Sequence, residues 1–263
     1  MASRAEPAPA LPIDTAERSG APTRAGGVLR VALQDAFYHA WRLVPANLLW
    51  TIVAIVVLAA AAVTPFALLL VPLLALPTAG IFRVTTRIVR GEAVSFGDAL
   101  DAWRIGVRTT LATGAAVAAA AAILITNVVT GFASDSPLGW GLATLAIWGL
   151  IALWLFAWTL WPLLLDPHRA ERPAVERARL AALIVLAHPV RTGVLATFLA
   201  ALLVASTVAM IPLAVISLSF GALIASRFVL PAADRLEDVL GARRAGATAT
   251  IDHGEPPANS AAR

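Results

Sequence analysis

Residues 82–91 read FRVTTRIVRG, from Phe82 to Gly91, and they follow directly on FALLLVPLLALPTAGI, residues 66–81. Arg83, Arg87 and Arg90 recur at steps of four and three, which on a helix sets them along one stripe. Whether that stripe lies inside a membrane, as in a voltage sensor, or just beyond its edge fixes the topology of the chain.

A helix that crosses the roughly 30 Å hydrocarbon core needs about 20 apolar residues. The apolar blocks 45–82 and 192–229 are each nearly twice that length and read as hairpins. Their breaks fall at Thr64-Pro65 and Ile211-Pro212, because proline lacks an N–H and disfavours the α conformation in the residue before it. Blocks 110–130 and 140–165 are single spans joined by the turn-forming GFASDSPLG, residues 131–139. The expected fold is all-α: a six-span transmembrane helical bundle built from three hairpins, with short interfacial helices on the cytoplasmic side. Its spans are about 45–63, 65–83, 110–130, 140–165, 192–210 and 212–229. They sit in a membrane domain, 28–241, between tails 1–27 and 242–263 too rich in Ala, Pro, Gly and charge to offset the entropy of ordering.

Composition agrees with a membrane protein. The 263 residues are 59% hydrophobic and 14% charged, with a mean hydropathy of +0.81, against roughly 25% charge in soluble domains. The sequence pI of about 11.1 does not indicate a nucleic-acid partner. The formal charge is only +4 and every basic side chain apart from histidine is arginine, whose pKa sets the pI. Cysteine is absent, which removes disulfides, thiolate metal sites and thiol nucleophiles together.

Orientation follows from the arginines, since cytoplasmic loops retain positive charge. They fall before span 1 (Arg24, Arg30, Arg42), between spans 2 and 3 (Arg83, Arg87, Arg90, Arg104, Arg108), between spans 4 and 5, and after span 6, whereas the opposite turns carry only Asp135. Both termini are therefore expected in the cytoplasm. If span 2 starts at Pro65, Phe82 lies roughly 25 Å along it. Arg83 then snorkels at the inner edge while Arg87 and Arg90 lie beyond the hydrocarbon, as contacts for lipid or a partner and not as gating charges.

On the same side, Ser95 followed by Asp98 reads as a capping box opening an amphipathic helix that leads into span 3, with Phe96, Leu100, Trp103 and Val107 on one side. A second helix is expected from Pro173 to Pro189. The starts of spans 3 and 5 echo one another, Val107-Arg108-Thr109 against Val190-Arg191-Thr192, as true repeats or by chance.

Candidate chemistry is sparse. No span has Asp, Glu, Lys or His in its middle; Arg227 is the nearest charge, with Asp234 its expected partner. His39, His168, His188 and His253 lack metal-ligand spacing, no P-loop, GxGxxG or GxSxG pattern occurs, and no nucleophile, base and orienter can be assembled. Neither an enzyme nor a cofactor is expected. Span 4 is dense in tryptophan: Trp140 and Trp161 suit the interfacial belts, while Trp154 and Trp158 form either a ligand wall or core packing. Gly114, Ala118 and Ala122 on span 3 permit close helix contact.

Asn47-Leu48-Leu49-Trp50 opening span 1, Leu76-Pro77-Thr78-Ala79-Gly80-Ile81-Phe82 closing span 2, and Val89-Arg90-Gly91-Glu92 followed by Phe96 resemble the YesL-like family of bacterial membrane proteins, a domain of unknown function. The resemblance covers residues 43–110, with Asn47, Trp50, Pro77 and Gly80 as its structural motif positions; the alanine-rich tails depart from it. It implies a small multi-span protein of the bacterial plasma membrane, encoded near carbohydrate uptake and breakdown genes. The expected function is thus an accessory to carbohydrate uptake that binds membrane lipid, or another membrane protein or transporter subunit, through an arginine-rich cytoplasmic face. The alternative is a small-molecule transporter with an aromatic-lined path.

Overall fold

The computed structural model describes residues 25–104, 106–209 and 216–252, and all regular structure among them is helical. The helices are α1 (Ala25–Tyr38), α2 (Ala40–Val63), α3 (Ala75–Arg90), α4 (Gly97–Asp101), α5 (Val107–Ala133), α6 (Pro137–Leu165), α7 (Ala174–Ala187), α8 (Pro189–Ala209) and α9 (Leu218–Asp252). Two 3-10 stretches join them: Pro65–Leu74, running directly into α3, and the single turn Pro167–Arg169. Expectations for residues 1–24 and 253–263, including His253, lie outside the described residues, while α9 continues to Asp252.

Five helical stretches are long and apolar enough to cross a membrane: Ala40–Val63, Pro65–Arg90, Val107–Ala133, Pro137–Leu165 and Pro189–Ser206. The chain is a multi-pass membrane protein. Thr64 is extended, at φ −145° and ψ 129°, and Pro65 opens the second stretch, as the proline break requires. At the other end of the bundle Ser136 caps α6 by accepting from the Gly139 N–H at 3.1 Å, with Pro137 in the first turn. The break expected at Pro212 falls outside the described residues. Beyond it, Leu218–Leu230 extends roughly 20 Å along α9, less than a full crossing. A 2.5 Å hydrogen bond between the Ser206 and Ser217 hydroxyls links α8 to the start of this segment.

Packing is concentrated at one end. The last two turns of α6, from Trp158 to Leu165, are buried, whereas its first half exposes Leu138, Trp140, Leu142, Leu145 and Trp148. Helix α3 is the centre: Ala79, Ile81, Phe82, Val84, Thr85 and Thr86 are all at most 1% exposed. It meets α9 through Thr85 and Ser226 (3.2 Å), and α6 through the Thr86 hydroxyl, which donates to the Leu165 carbonyl at 3.2 Å. Helix α4 presses so close that a Cβ on Gly80 would lie 2.8 Å from the Ala99 carbonyl oxygen. The α5–α6 hairpin closes on Gly131, where a Cβ would lie 2.6 Å from the Gly139 carbonyl oxygen. Gly114 approaches the start of α3 equally closely, since its Cβ would meet that of Ala75 at 2.3 Å. Ala122, by contrast, is exposed, so the contact stripe on α5 does not extend to it.

One local expectation fails. The amphipathic helix after Ser95 does not run into α5: α4 ends at Asp101, and Gly106 adopts the left-handed conformation at φ 75°. A residue without Cβ occupies that region at no steric cost, so the chain turns there. Ala99 and Ala102 are buried, Phe96 and Trp103 of the expected apolar face pack half-buried against the same core, and Leu100 is 41% exposed.

Candidate functional site

The arginine stripe of α3 ends in a Schellman motif. Gly91, at φ 74°, lets its N–H reach the Ile88 carbonyl (3.1 Å) while the Glu92 N–H reaches that of Arg87 (3.0 Å). This turn brings Glu92 back over the helix, where it accepts from Arg87 Nε at 2.8 Å. Arg87 Nη1 pairs with Asp98. Asp98 in turn accepts the Ser95 N–H at 2.7 Å, the reciprocal arm of the expected capping box, so one guanidinium ties α4 to α3.

Arg90 enters a deeper network. Its Nε and Nη2 bond Asp166 at 3.1 and 2.5 Å, and its Nη1 and Nη2 bond Asp234 at 2.8 and 3.1 Å. Asp166 follows α6 and caps the Pro167–Arg169 turn, accepting the His168 N–H at 3.2 Å. Arg169 pairs with the same two aspartates, and its Nε donates to Glu237 at 3.0 Å; Arg172 reaches Glu237 at 2.6 Å. Three arginines thus face three carboxylates, with formal charge balanced, and the ends of α3 and α6 are fastened to α9.

Burial decides the electrostatics. The Asp166 side chain is 0% exposed and that of Arg169 3%, against 42% for Asp234. Desolvation works against charge on both aspartates. The hydrogen bonds and charges of Arg90 and Arg169 outweigh it, and both carboxyls are held below the usual carboxylate range. For Arg169 burial likewise opposes the charge, and Glu237, Asp234 and Asp166 overcome it, raising its pKa. Arg177 has no such partner among the described residues and burial lowers it; its Nη1 donates to the Leu164 carbonyl.

Arg83 is half-buried, makes no ion pair among the described residues, and has a buried Nε without a partner. Arg227 does not pair with Asp234 as expected. Its Nε and Nη2 bond Asp35 of α1 at 2.7 and 2.5 Å, because Asp234 is already taken up by Arg90 and Arg169. Arg42 donates toward His39 Nδ1 at 2.8 Å and stacks over the Trp41 ring, 4.3 Å from its centre. Among the described residues no three His, Asp or Glu side chains are grouped so as to hold a metal ion.

The tryptophans of α6 are core elements at this end. Trp158 is 7% exposed, edge-on to Phe82 at 5.8 Å and to Trp154 at 5.4 Å. Trp154 donates Nε1 to the Ala196 carbonyl at 3.3 Å. Trp161, expected in an interfacial belt, instead stacks on Phe82 at 6.2 Å because α6 continues past it into the packed end; Trp140 is 55% exposed. The four motif positions all join helices. Asn47, fully buried, accepts the Ser219 N–H at 3.0 Å and so caps the first turn of α9. Trp50 Nε1 donates to Thr78 Oγ1 at 2.9 Å, Pro77 is buried at the start of α3, and Gly80 admits α4.

Sequence reasoning found the arginines, gave Asp98 to a capping box and Asp234 to Arg227, and did not pair either with Arg87 or Arg90; the roles of Asp166 and Glu237 it missed. A usable signal was Asp166-Pro167, an N-cap followed by proline at the end of an apolar run. The remaining arginines differ in kind: Arg30, Arg104, Arg108, Arg179, Arg191 and Arg235 are exposed and make no ion pair among the described residues. The sequence matches no protein-family model, and neither curated proteins nor solved structures yield a match.

Proposed function

We propose that this chain is a non-enzymatic, multi-pass protein of the bacterial plasma membrane whose basic end, on the cytoplasmic side, holds anionic phospholipid and a partner membrane protein. The observation that carries this reading is the division of its arginines. Arg87, Arg90, Arg169 and Arg172 are neutralised within the fold, whereas the exposed set meets no carboxylate among the described residues and is open to what the surroundings supply. Beside a membrane that is lipid phosphate, worth about 1 kcal/mol per arginine near an anionic surface. The one-sided charge supports a cytoplasmic placement of this end and of both termini, with six crossings. The likeness to the YesL-like family supports a partner belonging to carbohydrate uptake, with this chain as its accessory. A transport path along Trp154 and Trp158 has less support, since Trp158 is enclosed by Phe82 and Trp154.

The test is reconstitution of the full chain in nanodiscs of phosphatidylglycerol or of phosphatidylcholine, with the melting temperature read at low and high salt. The expected result is a higher value in phosphatidylglycerol that salt diminishes. Equal values in the two lipids would sink the lipid reading. Mild extraction that yields a monomer without associated protein would remove the partner role.

A further inference from the structure

Two cavities border the α5–α6 hairpin. One, about 460 Å³, lies at the Ser134–Ser136 end and has only uncharged lining residues. The other, about 690 Å³, lies at the opposite, basic end, between α5, α6 and α7. Its α5 wall is built on Ala112 and Ala116, both exposed, and its α6 wall on Phe156 and Leu160, with Ala178 of α7 beside them. The short alanines opposite the larger side chains leave an apolar trough open to the membrane. Arg108 lines its end at the start of α5. Arg108 is exposed and makes no ion pair among the described residues; Thr109 and Thr113, which also line the trough, make no side-chain hydrogen bond there.

We propose that this trough is a binding site for one anionic phospholipid, its acyl chain against Ala112, Ala116 and Phe156 and its phosphate on Arg108. The charge pattern selects this occupant. From Arg108 to Val117 the trough extends about 13 Å along the helix, apolar throughout except for the two threonines and the cation at its headgroup end. A zwitterionic lipid would fill the same apolar length but would bring its own cation to the headgroup level, which reduces the gain from Arg108. A soluble anion would leave the apolar length in contact with water. The arginine's long stem allows its guanidinium to reach the phosphate level while its methylenes stay along the apolar wall. The site rests on the reading of the basic end as a lipid-holding surface and gives that surface one defined position.

The test uses the delipidated full chain in detergent, titrated with phosphatidylglycerol or phosphatidylcholine and read by native mass spectrometry. Wild type is expected to bind a first phosphatidylglycerol more tightly than phosphatidylcholine. Arg108→Gln should weaken that first site about fivefold, the equivalent of one surface arginine, with Arg108→Lys retaining most of it. Ala116→Trp and, independently, Ala112→Phe should fill the trough and remove the first site for both lipids, while Arg191→Gln changes it little. Melting temperatures check that each variant is folded; if a filling variant is not, Arg108→Gln and the other filling variant decide. Wild-type selectivity that survives Arg108→Gln and the filling variants unchanged would overturn the trough alone. Absence of selectivity in wild type would remove the lipid-holding surface with it.

Discussion

Asp166→Asn is the most informative single change. The amide is nearly isosteric and can still cap the Pro167–Arg169 turn, so the perturbation is the loss of one fully buried charge facing Arg90 and Arg169. Breaking a buried pair by removing one partner costs about 3–5 kcal/mol. Arg90 keeps Asp234, and Arg169 keeps both Asp234 and Glu237, which places the expected loss near the lower bound, about 3 kcal/mol. At roughly 2–4 °C per kcal/mol for a chain of this size, the melting temperature in nanodiscs should fall by about 6–12 °C. Asp234→Asn removes the same charge from a side chain 42% exposed, so its cost should be near 1 kcal/mol after solvent screening. In a double-mutant cycle, Arg90→Gln with Asp166→Asn should cost less than the two singles added, with a coupling of about 1–3 kcal/mol. If Asp166→Asn and Asp234→Asn were equally mild and Arg90 and Asp166 additive, the network would not be the fastening described.

Other expectations follow from single contacts. Asp166 and Asp234 have depressed pKa values in the fold, so their stabilisation is complete above the unfolded carboxylate value, about 4, and is lost as pH falls through the lower folded values; melting temperature should be nearly level from about pH 7 to 5 and drop below about 4. Gly80→Ala sets a methyl 2.8 Å from the backbone oxygen of Ala99, where nothing flexible can yield; a cost of about 1–3 kcal/mol and faster proteolysis between residues 91 and 106 should follow. Trp50→Phe leaves the ring in place and removes its 2.9 Å bond to Thr78, a loss of about 1 kcal/mol by thermal unfolding. Asn47→Leu deletes the remote cap of α9 in a fully buried site, and about 1–3 kcal/mol should be lost, with faster hydrogen exchange in the first turn of α9.

The membrane-crossing helices were legible because hydropathy and proline act locally: Pro65 breaks the first long block where expected, and the Asp98 carboxylate reaches back to the Ser95 N–H as the spacing suggests, although the Ser95 hydroxyl donates to that carboxylate and does not cap the Asp98 N–H. Long-range pairing was not. Arg90 meets Asp166 and Asp234 across 76 and 144 positions, and nothing in the neighbourhood of either residue names the other. The assignment of Arg227 to Asp234 failed for that reason, since Asp35, 192 positions away, was invisible to any helical-spacing argument. Trp161 was misplaced because a belt and a core draw on the same side chain, and only its stacking on Phe82 distinguishes them. Gly106 shows a subtler limit. The apolar period of residues 96–107 fits an uninterrupted helix, yet α4 ends at Asp101 and the left-handed Gly106 stands at the start of α5.

The order in which the ribosome delivers these groups has a consequence for assembly. Arg90, Asp166, Arg169 and Arg172 all emerge before Asp234 and Glu237, so during synthesis three guanidiniums share one carboxylate and the nascent bundle has two surplus positive charges where the finished one has none. Until the last helix docks, Arg90 and Arg169 have only Asp166 of the network's carboxylates to meet. The final segment supplies both missing carboxylates, and a chain stopped short of residue 234 has no means of closing the latch.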